Sequence, residues 1–306
     1  MKRYPILLAA AVFLIAGTFA VAQDVGVDRA SVAFSNPSQP GTVTVSIING
    51  SISVRAYNGN QVVVEARIRE KLVDEEREPG EKAKGLRLIR VNTPGLSVNE
   101  NNNNMAVTAS TWRQSVDLEI QVPANTSLKL STMDNGDITV NGVSGEIEAD
   151  NKNGKIVLTN IAGAAVAHTM NGEVVATFRS VSPDKPMSFS SWNGDIDVTL
   201  PAAVKADLKM KTRDGDVYSD FDIQIVPKPK EEKAETSILA VPVPEAATKE
   251  MIAASRLAVR LRDAPRGMTI AGVNIDSPAI YGKINGGGPQ FQFNTFQGDV
   301  LIRKAK

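Results

Sequence analysis

Hydrophobic and polar residues alternate in short runs that restart at regular intervals along the chain. The aliphatic pairs Ile52/Val54, Ile138/Val140, Ile147/Ala149, Ile156/Leu158, Val174/Ala176, Ile196/Val198 and Val300/Ile302 enclose mostly polar residues such as Ser53, Thr139, Glu148 and Asp197. Period-two alternation over so few positions predicts short strands with one buried face. A glycine stands two residues ahead of each run, and Gly136, Gly145, Gly154, Gly163 and Gly172 recur every nine residues. On alternate beats it sits in one phrase: Asn135-Gly136-Asp137-Ile138, Asn153-Gly154-Lys155-Ile156 and Asn171-Gly172-Glu173-Val174. Looser copies are Asn49-Gly50-Ser51-Ile52, Asn193-Gly194-Asp195-Ile196, Asp214-Gly215-Asp216-Val217 and Gln297-Gly298-Asp299-Val300.

Asn-Gly between alternating runs is also the strongest local signal for a hairpin, which would give an antiparallel meander. The fixed period argues for the other reading. Nine residues hold one strand of about five and one turn of about four, so a flattened coil of two strands stacks in parallel on the next. The predicted fold is all-β, a parallel β-solenoid or β-helix-like stack with about 18–22 residues per coil. Asn135, Asn153, Asn171 and Asn193 would then either form an amide ladder or serve only as turn residues that tolerate positive φ.

Outside the regular core the pattern loosens. Less regular strands are expected over 42–48, 51–56, 61–67, 86–91 and 116–122, interrupted by the charged run 70–84 and the polar tract 101–104, the latter read as a solvated loop. Residues 222–279 form an irregular insert that opens with Pro227-Lys228-Pro229-Lys230-Glu231-Glu232-Lys233, a solvated linker signature. Within it, residues 245–262 carry Met251, Ala254, Leu257, Ala258 and Leu261 along one helical stripe, suited to covering the stack. Residues 280–306 bring the repeat back. Phe291, Phe293, Val300 and Ile302 copy the inward pattern of Leu208, Met210 and Val217, which predicts a closing coil beside residues 205–219.

The first 22 residues read as a secretory signal peptide rather than fold. Lys2 and Arg3 precede the apolar run Ile6–Ala16, and Ala20-Val21-Ala22 forms a small-x-small site before Gln23. The run is shorter than the roughly 20 residues of a membrane span, so no stable span is expected after cleavage. The expected organisation is a signal peptide (1–22), a β-repeat domain (23–221), the insert (222–279) and a closing repeat of the same β domain (280–306). The protein is expected to be exported, to the periplasm, the cell surface or the medium.

Composition narrows the chemistry. There is no cysteine, which removes thiol nucleophiles, thiolate metal sites and disulfides. The 34 basic and 34 acidic residues balance, so no global charge draws nucleic acid or anionic lipid. His168 is the sole histidine, which excludes two-histidine metal motifs. It occupies a repeat position held by Asp150, Ser190 and Lys211 in other units, and so reads as an exposed strand or turn site. A Ser-His-Asp triad would have to pass through it, yet no Gly-x-Ser-x-Gly elbow accompanies it.

Asp137, Glu173, Asp195, Asp216 and Asp299 follow the turn glycines and would form a carboxylate row at coil spacing, close to the separation retaining glycosidases use. Lys155 interrupts that row, which reads better as a charged ladder on exposed turns. Calcium-binding nonapeptide rolls share the nine-residue period but need Gly-Gly-x-Gly-x-Asp, and each turn here has one glycine. The residues preceding the turn dipeptides are Asp134, Lys152, Met170, Trp192, Arg213 and Phe296, which is no line of aromatics for a sugar. Trp112 and Trp192 are expected at coil edges in packing roles. No catalytic, cofactor-binding or metal-ligating residue is assigned.

These phrases, together with Val45-Ser46-Ile47-Ile48, the strand end Leu118-Glu119-Ile120-Gln121-Val122-Pro123 and Asn285-Gly286-Gly287-Gly288-Pro289, give the chain its resemblance to a bacterial putative-adhesin family built on β-strand repeats. The resemblance covers residues 42–219 and 280–306. It implies a non-enzymatic single-sheet or solenoid domain at or beyond the membrane, and it brings no catalytic residue. The leading functional expectation is an exported, non-enzymatic protein presenting a binding surface for adhesion or envelope assembly. Its partner would be a protein or polysaccharide of the cell envelope, with no nucleic acid. The alternatives are a scaffold or sensor module in an envelope-stress system and a polysaccharide-active solenoid enzyme.

Overall fold

The structure is a computed structural model that describes residues 27–71, 94–109, 114–228 and 279–306. The expected signal peptide, the strand at 86–91, Trp112 and the helix at 245–262 lie outside the described residues.

All regular structure described is β. The N-terminal part holds β1 (Val27–Ala33), β2 (Thr42–Asn49), β3 (Ile52–Tyr57), β4 (Gln61–Lys71), β5 (Ser97–Asn101), β6 (Asn104–Thr108) and β7 (Gln114–Pro123). The regular core holds β8 (Ser127–Asp134), β9 (Ile138–Asn141), β10 (Ile147–Asn153), β11 (Ile156–Gly163), β12 (Ala165–Asn171), β13 (Val174–Val181), β14 (Met187–Asn193) and β15 (Ile196–Leu200). The C-terminal part holds β16 (Ala206–Lys211), β17 (Val217–Ser219), β18 (Gln224–Val226), β19 (Ile280–Ile284), β20 (Gln290–Gln297) and β21 (Val300–Lys304).

The strands form two long sheets. The first runs β1-β4-β7-β3-β9-β11-β13-β15-β21-β17, the second β18-β19-β16-β20-β14-β12-β10-β8-β2-β6-β5. Each coil gives one strand to each sheet, and coils pair in parallel: Ile156 lies opposite Ile138 on one side and Val174 on the other. The chain is thus the predicted β-solenoid, and the meander is excluded. Antiparallel strands cap both ends: β4 and β1 with β5 at one end, β19 and β18 at the other.

Chain order and stacking order agree only in the middle. The β2/β3 coil lies between the β6/β7 and β8/β9 coils. At the other end β20/β21 slides between β14/β15 and β16/β17. Residues 280–306 do pair beside 205–219, but from within the stack, and β16/β17 is the outermost parallel coil. The reason is apolar content. Phe291 and Phe293 are fully buried on β20, with Phe293 stacked on Phe189 at 5.5 Å between ring centroids. Such a strand needs a neighbour on both sides, whereas the three-residue β17 tolerates an edge.

The tract 101–104 is largely exposed, as expected of a solvated loop, but strands flank it. It is the tight turn of the β5/β6 hairpin, with Asn102 and Asn103 at φ 51° and 61°. Two successive residues at positive φ match the twist of the flanking strands.

The glycine corner explains the repeat phrase. A Cβ on Gly154 would lie 2.1 Å from the Gly136 carbonyl oxygen, and Gly154 itself has φ +149°. The corner glycines rest on one another coil by coil, so close approach as well as conformation demands the residue. Two residues before each Asn, Asp or Gln of the corner runs a polar column, buried except at Thr212, that the repeat phrase does not announce. Thr132, Asn151, Thr169, Ser191, Thr295 and Thr212 donate to the carbonyls of Gly50, Gly136, Gly154, Gly172, Gly194 and Gly298 at 2.8–3.0 Å. Each bond contributes roughly 1 kcal/mol net, and more is lost if the carbonyl is left unpaired.

The amide ladder also exists, with one substitution. Asn193 donates to Asn171, and Asn171 to Asn153, both at 2.7 Å, but Asn153 donates to Asp134 rather than to Asn135. Asn135 is an extra corner residue at φ 52°, which shifts the ladder position back by one. Arg69 closes the N-terminal end of the corner, donating to Ser51 Oγ at 2.6 Å and the Asn135 carbonyl at 2.9 Å.

Candidate functional site

The turn carboxylates are committed to structure. Asp137 Oδ1 accepts the Lys155 amide at 2.8 Å, Asp195 Oδ1 that of Asp299 at 2.8 Å, and Asp299 Oδ1 that of Asp216 at 2.9 Å. Each aspartate caps the next coil, and Lys155 pairs with Glu173 at 3.2 Å. A carboxylate holding a backbone amide in its own ladder is poorly placed to shuttle protons to a sugar, so the row is a corner device.

The outer face of the second sheet offers more. Parallel register puts outward residues in three columns running across β10, β12, β14, β20 and β16. The first column is Glu148, Val166, Ser188, Gln292 and Lys209; the second is Asp150, His168, Ser190, Asn294 and Lys211. The third, at the corner, holds Lys152, Met170, Trp192, Phe296 and Arg213.

That third column corrects the sequence reading twice. Met133, 50% exposed, and not Asp134, occupies the β8 position, because Asn135 is the extra residue. Phe296 also falls directly next to Trp192, since β20 intercalates beside β14. Their rings stack at 4.4 Å with 5° between planes, and the Arg213 guanidinium lies 4.7 Å from the Phe296 centroid. A short aromatic line therefore exists. Trp192 and Phe296 spend a face each on one another and Arg213 covers the other face of Phe296, so two stacked rings stand where sugar stacking would need a row of open ones. Met170 beside Trp192 is 40% exposed, and Val166, in the first column, is 44% exposed.

The second column brings together Asp150, His168 and Ser190 on adjacent strands. His168 is half-buried rather than exposed as the repeat position suggested, and its Nδ1 lies 2.6 Å from Ser190 Oγ. Burial holds the imidazole pKa below its ordinary 6.5, partly offset by the Asp150 carboxylate. Burial likewise raises Asp150 above its ordinary 3.8, against the pull of His168.

The row brackets an imidazole between a carboxylate and a hydroxyl, as a hydrolase would. What it lacks is an oxyanion site. β12 is paired on both edges, so its N–H groups are spent in ladder bonds and do not converge on a substrate oxygen. A hollow of about 310 Å³ lies elsewhere, lined by Phe34, Pro37, Tyr57, Asn58, Pro123 and Ala124 among others. It brings no carboxylate or imidazole. The arrangement can hold and exchange a proton.

With this geometry in hand, comparison with known proteins places the repeat. Residues 127–242 match the Toastrack DUF4097 family. The matched stretch begins at β8 and ends before β20/β21, so it omits a coil that is physically inside it. Solved structures similar to the chain include two from bacteria. One is a putative cell adhesion protein from Clostridium sporogenes ATCC 15579, with 10% identity and a TM-score of 0.41, covering 91% of this chain and 100% of that one. The other is a putative adhesin from Bacteroides fragilis NCTC 9343, with 8% identity and a TM-score of 0.36, covering 92% and 98%. No curated protein matches.

Proposed function

We propose that this chain is an exported, non-enzymatic β-repeat protein whose second sheet presents a binding surface for adhesion or envelope assembly. The observation that carries this reading is the outward column Met170, Trp192 and Phe296. The core is already filled from the inward positions, so these apolar side chains are not needed to fill it, although Trp192 and Phe296 also stack on one another. The exposed Met170 and the half-buried Trp192 and Phe296 beside Arg213, rimmed by polar groups, have the composition of a recognition surface. Export is supported by Lys2, Arg3, the run Ile6–Ala16 and the Ala20-Val21-Ala22 site. The absence of chemistry is supported by the aspartate row, whose oxygens cap backbone amides, and by the paired edges around His168. The partner assigned is a protein or polysaccharide of the cell envelope.

The test is sedimentation of the purified mature chain, from Gln23 onward, with envelope fractions. Wild type should co-sediment, and a Trp192→Ser/Phe296→Ser variant should stay in the supernatant. Arg55→Ser, on the outer face of the first sheet, should behave as wild type. Equal behaviour of all three proteins overturns the reading.

A further inference from the structure

The outward face of the second sheet is graded in charge. At β10 it is acidic in two of its three positions, Glu148 and Asp150, and at β16 it is basic at Lys209 and Lys211, with Arg213 just beyond and Asp207, the third outward residue of β16, held by Lys283 at 3.9 Å. Between them lie Val166, His168 and Met170 on β12, then Ser188, Ser190 and Trp192 on β14, then Gln292, Asn294 and Phe296 on β20. β14 is the middle strand of these five, and also of the seven from β8 to β19.

We infer that this face docks on the same face of a second copy of the chain, about a two-fold axis that runs parallel to the strands over β14. This rests on the reading of the face as the binding surface and names its occupant. Such an axis reverses stacking order and keeps position along each strand. Glu148 then meets the partner copy's Lys209, and Asp150 meets its Lys211. Met170 meets Phe296, His168 meets Asn294, and Trp192 and Ser190 each meet themselves. An isologous interface requires this kind of self-complementarity, with acid and base at equal distances from the axis. A two-fold axis along the stack would instead set β10 against β10 and β16 against β16, bringing Asp150 onto Asp150, Lys211 onto Lys211 and Lys209 onto Arg213.

Two pairs run against the scheme: at the outer margin Glu146 meets Asp207, each already held by a lysine of its own chain, Lys185 and Lys283, and at the other margin Lys152 meets Arg213. The last two stand exposed at the corner rim, where salt screens them, and Arg213 leans over Phe296. Glu148 also holds Lys129 at 3.4 Å, but both groups are more than half exposed, and such pairs yield readily to a better partner. The size is adequate. Seven strands at about 4.8 Å by three outward residues at about 6.8 Å repeats span roughly 34 by 20 Å, approaching the ~800 Å² per partner of a standard interface.

Charge exchange tests this on the full mature chain. Sedimentation velocity at low salt should show wild type as a dimer that weakens as salt rises. Lys209→Glu/Lys211→Glu and Glu148→Lys/Asp150→Lys, all outward-facing, should each sediment as folded monomers, with dimerisation weakened about 10–100-fold. Mixing the two variants should restore a dimer containing one copy of each, because acid and base again oppose. A wild type that stays monomeric at about 100 μM, in the range of weak transient pairs, overturns the inference. So do two folded variants whose mixture stays monomeric. If wild type is monomeric while Trp192→Ser/Phe296→Ser still loses envelope binding, self-docking is wrong and the binding face stands.

Discussion

Trp192 and Phe296 stack at 4.4 Å although one belongs to the regular core and the other to the last strands of the chain. They meet because β20 lies directly on β14, with Asn193 opposite Gln297. A contact of this kind ties the C-terminal segment into the array, and the consequences can be measured.

Replacing Gly154 by valine should destabilise the protein by more than about 3 kcal/mol, the sum of backbone strain and a clash with the Gly136 carbonyl. Loss of His168 to alanine should remove roughly 1 kcal/mol, because its Ser190 bond is half-buried and neutral. Urea denaturation of both variants checks the order. Equal midpoints would mean that the corner glycines are not close-packed.

The polar column gives a finer test. Thr169→Val keeps the side-chain volume but removes the hydroxyl that donates to the Gly154 carbonyl at 3.0 Å. Stability should fall by about 1–3 kcal/mol, while Thr169→Ser should stay near wild type. A valine variant as stable as wild type would show that the column only fills space.

The insert leaves and re-enters the fold at one place. Val226 on β18 lies opposite Tyr281 on β19. Replacing residues 229–278 by a short Gly-Ser turn should therefore give a soluble, cooperatively unfolding protein. Ending the chain at Tyr218 should instead cause aggregation, since it strips Phe291 and Phe293 from between two coils. Light scattering separates the outcomes; a soluble, folded truncation would contradict the intercalated topology.

The His168–Asp150 pair fixes a pH signature. Burial lowers the His168 pKa, so the unfolded chain binds its proton more readily, and stability falls as pH drops through the ordinary 6.5 towards the folded value. Asp150 is raised, so its unfavourable contribution is relieved as pH falls through its folded value towards 3.8. Thermal melts from pH 8 to 5 should show wild type losing stability relative to His168→Ala. A constant difference would remove the burial assignment.

The repeat itself was legible because its constraints are local. Asn-Gly-x-Ile states a corner, a close approach and an inward residue within four positions. The column donors at Thr132, Asn151, Thr169, Ser191, Thr295 and Thr212 were not legible, because three residue types share only the ability to donate. β5 and β6 escaped because asparagine at positive φ looks the same in a hairpin turn as in a loop. The aromatic line was hidden by topology: in chain order Arg213 separates Trp192 from Phe296, and in space it flanks the pair.

Both ends of the stack are sewn out of order, with β2/β3 drawn inside β6/β7 and β20/β21 drawn inside β16/β17. An ordinary solenoid can gain or lose units at either end, as a stack of plates can. Here each terminal coil is a stitch through its neighbour, and removing it opens a gap between two others. Only the run from β8 to β15, where chain order and stacking order coincide, can accept or surrender a whole unit. The array therefore has a fixed hem on each side, and whole coils can be gained or lost only in its middle.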